Sequence, residues 1–182
     1  MDTFLGKLKA IWQSKDLRKS ILFVIIMLVI FRAAAHVPIP GVNLANLRTF
    51  FASNQIFGLL NLFSGGTMEN FSVIMLGVAP YITASIILQL LTMIVPRLEE
   101  ISKEGEAGQR RINQWTRYLT VPLGLLQAYG TITLLRQSSL PIIENVSAMR
   151  IAVIMLTVTA GTMFLVWLGE LISEKHIGNG IS

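Results

Sequence analysis

Apolar and polar residues divide the chain into long apolar runs separated by polar or charged segments. An α-helix needs about 20 mostly apolar residues to cross the hydrocarbon core of a bilayer. Four runs meet or approach that length, and we predict them as membrane spans at residues 20–37, 74–96, 118–136 and 150–170. The pattern therefore predicts an all-α, polytopic membrane protein folded as a helical bundle.

The second run carries polar residues at helical spacing, although no charged residue occurs between Asn70 and Pro96. At about 100° per residue, polar side chains three and four positions apart share one stripe of a helix. Val78 and Ile82 lie between or above the members of this stripe, which are Tyr81, Ser85, Gln89 and Thr92. Because lipid offers no hydrogen-bond partners, the stripe predicts a protein or water neighbour on that side.

A short apolar segment, residues 57–63, precedes this run and is followed by the polar residues 64–67. It is too short to span a bilayer, and Gly65 and Gly66 disfavour a continuous helix. Non-helical backbone at membrane depth is tolerated only where it lines a cavity or is buried in protein. The sequence leaves two alternatives, a surface loop or a re-entrant segment within a lumen.

The remaining segments are assigned by charge and amphipathicity. Residues 1–19 predict a basic amphipathic helix in the cytoplasmic interface. Basic residues also concentrate in 97–117, which the positive-inside bias makes a cytoplasmic loop, with 171–182 the start of another. Residues 38–56 and 137–149 are then extracytoplasmic loops. This alternation explains the net charge of +5 without a nucleic-acid partner.

Candidate chemistry is sparse. The sequence has no cysteine, and its two histidines, His36 and His176, are far apart and not in ligand spacing, so we expect no metal site. No histidine or carboxylate lies in the middle of a span, and neither a Gly-x-Ser-x-Gly nor an HExxH motif occurs, so we expect no enzyme. A small-solute or ion transporter is the alternative function, but it would need a charged or ion-coordinating group within the membrane.

Several motifs, in order along nearly the whole chain, resemble the SecY family of channel subunits of bacterial protein translocation. They are residues 39–41 (IPG), 63–66 (FSGG), 77–89 (GVAPYITASIILQ), 104–112 (EGEAGQRRI), 114–118 (QWTRY), 161–164 (GTMF) and 177–182 (IGNGIS). The resemblance implies the N-terminal portion of a ten-helix channel made of two inverted halves. The Gly-Asn-Gly at the chain end fits this, since it is typical of a turn before a further helix, and we expect a fragment.

The resemblance also implies site roles. Residues 57–73 would form a short re-entrant plug helix in the outer funnel, which includes Leu60, Asn61, Leu62, Phe63, Ser64, Gly65 and Gly66. Val78 and Ile82 would belong to the apolar pore ring, although without the resemblance they fit ordinary helix packing. The stripe of Tyr81, Ser85, Gln89 and Thr92 would line a lateral gate.

The implied function is a passive conduit for unfolded secretory polypeptides that also releases membrane segments sideways into the cytoplasmic membrane of a bacterium. The implied partners are SecE- and SecG-type small membrane subunits, a ribosome or a SecA-type motor ATPase, signal sequences and nascent chains, the lipid bilayer and the remaining half of the channel. No cofactor is implied.

Overall fold

The computed structural model of the protein describes residues 15–53, 59, 67–138, 141–143, 147–175 and 180–181. Within them the chain forms six helices, named α1 to α6: Lys15–Ala35, Leu44–Ser53, Ala79–Ile94, Pro96–Lys103, Glu106–Arg136 and Ala148–Ser173. The described residues contain no β-strand and only two isolated bridges, Pro38 with Ser72 and Val42 with Ile143. The predicted all-α fold class is confirmed. The amphipathic helix predicted at 1–19 lies almost entirely outside the described residues.

Helix α2 lies in the segment predicted as the first extracytoplasmic loop, and Asn43 starts it. The Asn43 side-chain oxygen accepts hydrogen bonds from the backbone N–H groups of Ala45 and Asn46, each 3.1 Å long, as expected of an N-cap asparagine. The Asn43 N–H itself donates to the carbonyl of Ile142. Helix α2 is thereby tied to the connection between α5 and α6.

The main hydrophobic core lies where α2, the 67–78 segment, the end of α5 and the first half of α6 meet. Its buried members are Ile39, Leu47, Phe51, Phe71, Met75, Ile132, Leu135, Ile142, Ile143, Ile154 and Val158. A smaller core joins Ala35 of α1, Ile74 and Leu165 of α6. Nearer the middle of α1, the Lys175 ammonium lies 5.1 Å from the centre of the Phe23 ring.

The 67–78 segment is irregular, so the helix predicted to begin at residue 74 begins instead at Ala79. Extended pairing with the turn after α1 prevents the earlier start: the Ile39 N–H donates to the Phe71 carbonyl, and the Val73 N–H donates to the Val37 carbonyl, both at 3.0 Å. Gly77 has φ +59°, which an α-helix cannot contain. The apolar composition of this segment reflects burial in protein rather than a continuous helix.

A bend of 104° separates α3 from α4. A residue before proline is driven out of the helical region by the proline ring, and Val95, before Pro96, is accordingly extended (φ −99°, ψ 109°). Proline is favourable at the first position of the following helix, where its missing N–H is not needed. One dipeptide thus ends α3 and starts α4.

Helices α4 and α5 form a tight hairpin, which corrects the prediction of a loop over 97–117. Helix α5 begins at Glu106 rather than at the predicted residue 118. Gly105, at φ +72°, makes the turn. A Cβ on Gly108 would overlap the Ile101 carbonyl, so glycine permits the close approach of the two helices. The charged residues of this region lie on helix surfaces, where they include a Glu99–Lys103 pair at 2.6 Å.

By length and composition, α5 and α6 are able to cross a membrane, and α3 with α4 would provide a third span if the bent pair is one. These helices make the described part of the chain a polytopic membrane protein, as predicted. In α1 the uncharged stretch, residues 20–31, is only 12 residues, about 18 Å of helix. Lys19 and Arg32 flank this stretch, so a span at 20–37 needs both side chains to reach the interfaces, and it stays a prediction.

Candidate functional site

Val78 and Ile82 stand at the start of α3, where irregular backbone becomes helix. Val78 occupies the N-cap position with φ −98° and ψ 7°. Ile82 follows one turn later, and its N–H donates to the Val78 carbonyl at 3.0 Å. Residues four apart at a helix start lie on the same side, so the two branched side chains form one apolar patch.

This patch lines a cavity of about 590 Å³ between α1, the 67–78 segment, α3 and α6. The other walls are also largely apolar and include Met27 and Phe31 of α1 and Leu165 of α6. Ile82 is 47% exposed in the described chain. The structure thus brings the two predicted pore-ring residues together on a cavity wall.

Residues 180 and 181 close another side of the same cavity. Gly180 and Ile181 line it, and the Gly180 N–H donates to the Ser173 hydroxyl at 2.9 Å. A Cβ on Gly180 would overlap the Gly169 carbonyl, so a side chain could not replace the hydrogen here without a backbone shift. Sequence reasoning assigned these terminal residues only to a turn and missed their position on the cavity.

A second cavity of about 390 Å³ lies between α2, the 67–78 segment and α5. Phe50, Phe71 and Leu134 are among its lining residues. Met68, Met75 and Leu76 line both cavities. The 67–78 segment is therefore the partition between two apolar spaces.

The polar stripe of α3 lies along the edge of its buried face. The fully buried residues of α3 are Pro80, Ala84 and Leu88, and α3 packs mainly against α5. The stripe is one step around the helix from them: Tyr81, Ser85 and Thr92 are half-buried, and Gln89 is exposed. At about 100° per residue, Ile82, Ile86 and Leu90 follow on the exposed side. The stripe thus borders an open surface.

Hydrogen bonds within the stripe are local to α3. The Gln89 side-chain amide reaches the Ser85 hydroxyl at 3.5 Å, which is long for such a bond. The Thr92 hydroxyl donates to the Gln89 carbonyl at 2.7 Å. The stripe therefore keeps polar capacity for a neighbour across the open surface.

An ion pair between α5 and α6 lies near Tyr81 and was missed by sequence reasoning. The Arg117 guanidinium donates to both carboxylate oxygens of Glu170, with Nε to Oε1 at 2.8 Å. Tyr81 lies within electrostatic range of both side chains, so the pair is near the first turns of α3. The available signal was that both charges terminate predicted spans on the same side of the membrane, where a pair between neighbouring helices is possible.

The described residues hold no group of three or more His, Cys, Asp or Glu side chains arranged to bind a metal ion. The arrangement at α3 offers an apolar surface on the cavity wall and one polar edge.

A family model for SecY matches residues 72–182 of the chain. The chain belongs to the SecY family. The resemblance predicted from the sequence motifs is thereby confirmed.

Relatives agree with this membership. The chain is 43% identical to the protein translocase subunit SecY of Streptomyces galbus, over 94% of this chain and 42% of the relative. It is 44% identical to that of Streptomyces coelicolor over the same shares, and 42% identical to that of Mycobacterium bovis over 100% of this chain and 43% of the relative. The chain thus spans less than half the length of the SecY relatives that it matches.

The SecY resemblance assigned a plug to residues 57–73. Its predicted members Leu60, Asn61, Leu62, Phe63, Ser64, Gly65 and Gly66 lie outside the described residues. Thr67, which follows them, is 3% exposed and lines the larger cavity together with Met68. The described chain therefore resumes at the wall of the cavity that also holds Val78 and Ile82.

Proposed function

We propose that this chain forms part of a protein-conducting channel, through which unfolded polypeptides cross the membrane. One observation carries the proposal: Val78 and Ile82 lie together on the wall of an apolar cavity, at the point where the 67–78 segment passes into α3. The SecY relatives are named as protein translocase subunits. The role of the chain is to provide one side of the conduit.

An apolar constriction suits this function physically. Branched aliphatic side chains exclude water and ions from a narrow opening by dewetting, and they bind no particular peptide sequence. Val78 and Ile82 would act in this way as members of the pore ring. In this proposal the chain performs no catalysis and carries no cofactor.

The polar stripe of α3 is proposed as one wall of a lateral gate. Tyr81, Ser85, Gln89 and Thr92 follow the boundary between the buried and the exposed sides of α3. Hydrogen bonds between helices in membranes are worth only about 0.6 to 2 kcal/mol. A seam of this kind would hold when closed and still open for a signal sequence or a membrane segment.

The plug, partners and location follow the same proposal. Residues 57–73 would fill the outer funnel at rest, and the described residues Thr67 and Met68 on the cavity wall support that position. The partners are SecE- and SecG-type subunits, a ribosome or SecA-type motor, nascent chains, lipid and the remaining half of the channel. The site of action is the bacterial inner membrane, with a cytoplasmic N-terminus favoured by the basic residues of 1–19.

The pore ring is tested by the double variant Val78→Gly with Ile82→Gly, in the protein purified with its companion subunits and placed in planar bilayers. We expect ion conductance at rest to rise, because the apolar seal is removed. The matched control is Ile86→Gly with Leu90→Gly, which has the same spacing on the exposed side of α3 and does not line the cavity. Equal conductance in the two double variants would reject the pore ring.

The lateral gate is tested with single cysteines, since the sequence has none of its own. Ser85 and Ile87 are both half-buried and lie on opposite edges of α3. We expect Ser85→Cys to crosslink to a signal sequence during transit and Ile87→Cys to react preferentially with lipid-borne probes. The same labelling pattern at both positions would rule the stripe out as the gate wall.

A further inference from the structure

The 67–78 segment makes a close backbone contact with α6 at Gly161. A Cβ on Gly161 would overlap the carbonyl oxygen of Val73, and its next neighbours would be the carbonyl carbon of Val73 and the nitrogen of Ile74. The segment therefore rests directly on the backbone of α6. Ser72 precedes Val73 and Thr162 follows Gly161, so each flanks the contact by one residue.

The hydroxyls of Ser72 and Thr162 are buried there without a hydrogen-bond partner. Both residues are 0% exposed, and neither side-chain oxygen is paired in the structure of the described residues. The backbone of Ser72 is satisfied, since its N–H donates to Thr67 and its carbonyl accepts from Met75. At Ser72 the unpaired group is therefore the side-chain hydroxyl and not the backbone.

Thr162 differs in this respect from all other helical threonines in the described part of the chain. Each of the others donates its hydroxyl to a carbonyl three or four residues earlier. Thr159, less than one turn away on α6 and also buried, donates to Met155 at 2.8 Å. A threonine hydroxyl of α6 can thus donate to a backbone carbonyl of the same helix, as at Thr159, but the Thr162 hydroxyl does not.

We propose that the unpaired hydroxyls of Ser72 and Thr162 weaken the docking of the 67–78 segment on α6 and so set how readily the segment leaves the partition between the two cavities. Leaving a buried polar group unsatisfied costs its desolvation energy, which returns when water reaches it. The docked arrangement carries that penalty at both hydroxyls. When the segment is displaced and water enters the gap, both hydroxyls are hydrated and the penalty is absent.

The weakened docking does not depend on the proposed channel function. Only its consequence for opening rests on that function. In a channel, the 67–78 segment, which contains the end of the predicted plug and the pore-ring residue Val78, must move when the conduit opens. Two unpaired hydroxyls at its docking point bias the resting state towards opening. An apolar residue of the same shape at either position would bias it towards closure.

Hydrogen exchange at the backbone amides of residues 67–78 tests the docking directly, in the protein purified with its companion subunits. In Thr162→Val the side-chain shape is kept and the hydroxyl removed, and we expect exchange at Val73 and Met75 to slow by roughly tenfold. Ser72→Ala should slow the same amides. Unchanged or faster exchange in both variants would overturn the inference, and having two positions guards against one variant that fails to fold.

Thr159→Val is the matched control, because it makes the same change at a buried threonine of α6 whose hydroxyl is already paired. We expect no slowing at residues 67–78 there. Slowing equal to that of Thr162→Val would also overturn the inference, since added apolar surface alone would then explain it.

Polypeptide transport into vesicles, measured on the same variants, tests the consequence. We expect slower transport in Thr162→Val than in Thr159→Val. Slower exchange with unchanged transport would remove the link to opening and leave the channel function intact. An unsubstituted protein that moves no polypeptide, with exchange still slowed in Thr162→Val, would instead reject the proposed function and retain the docking inference.

Discussion

The 67–78 segment and helix α3 are consecutive in the chain and opposite in construction. The segment has irregular backbone, and Phe71, Ser72, Ile74 and Met75 are buried within it. Helix α3 is regular, yet Met93 and Ile94 at its end are more than three-quarters exposed. The irregular segment is therefore the more buried of the two, and the regular helix is the more exposed.

Backbone hydrogen bonding explains the difference. The segment takes partners from the turn after α1, through the bonds of Ile39 and Val73, because irregular backbone inside a membrane protein must be satisfied by protein. Helix α3 satisfies its own backbone and depends on neighbours only for side-chain packing. Helix α3 can therefore shift as a rigid body without breaking backbone hydrogen bonds, whereas the segment can move only by exchanging its backbone partners.

Removing the largest buried side chain of the segment should have the greatest effect. Phe71 is 1% exposed, and Phe71→Ala should lower the free energy of unfolding by about 3 to 5 kcal/mol. The positive φ of +44° at this position is strained for alanine as well as for phenylalanine. The loss of stability therefore measures side-chain packing alone. Denaturant unfolding in detergent gives the value.

Ile86→Ala on α3 is the comparison for this change, since Ile86 is 51% exposed. Its effect should stay within about 0.5 kcal/mol. Comparable losses at the two positions would contradict the distinction between segment and helix.

Gly161→Ala should have the second largest effect. The new methyl group would overlap the Val73 carbonyl, and forcing extra atoms into a packed contact costs about 1 to 3 kcal/mol. Displacement of the segment should also make hydrogen exchange at residues 67–78 faster, in the direction opposite to Thr162→Val.

Gly130→Ala is the control, because no atom lies within 4 Å of a Cβ there. An alanine in mid-helix should be neutral or stabilising by about 0.5 to 1 kcal/mol. Destabilisation by both alanines would point to helix effects rather than to docking.

The Arg117–Glu170 pair should contribute the smallest measurable amount. Its side chains are 47% and 21% exposed, so solvent screens much of the attraction, and we expect a coupling of about 1 kcal/mol. A double-mutant cycle of Arg117→Met and Glu170→Gln measures it, and the coupling should fall in high salt. The Glu106–Arg110 pair, 3.8 Å apart and 94% and 83% exposed, provides a cycle that should show no coupling. A zero value for Arg117 and Glu170 as well would mean that packing alone holds α5 to α6 beside Tyr81.

The sequence predicted those features that depend on local periodicity. The stripe from Tyr81 to Thr92 follows from the spacing of its members, since they lie on one unbroken helix. The bend at Val95 also follows from a local rule, the restriction before Pro96, although the predicted span ran through it. Local signals of this kind need no knowledge of the rest of the molecule.

Features that depend on distant partners were predicted less well. The apolar residues from Ile74 to Leu76 match a spanning helix in composition, and only pairing with residues 37–39 keeps them out of one. The Arg117–Glu170 pair joins positions 53 residues apart, which no local pattern reveals. The unpaired hydroxyls of Ser72 and Thr162 are still less accessible, because serine and threonine are ordinary residues in such sequences.

The right-angled junction at Val95 gives the molecule a mechanical property. Helix α4 extends about 12 Å from the end of α3, at 104° to it, and is anchored to α5 by the Gly108 contact. A sideways load on α4 therefore reaches α3 as torque about its own long axis rather than as tension along it. The buried, polar and exposed faces follow one another around α3. A small rotation of α3 about its axis would therefore change which of these faces meets a neighbouring helix.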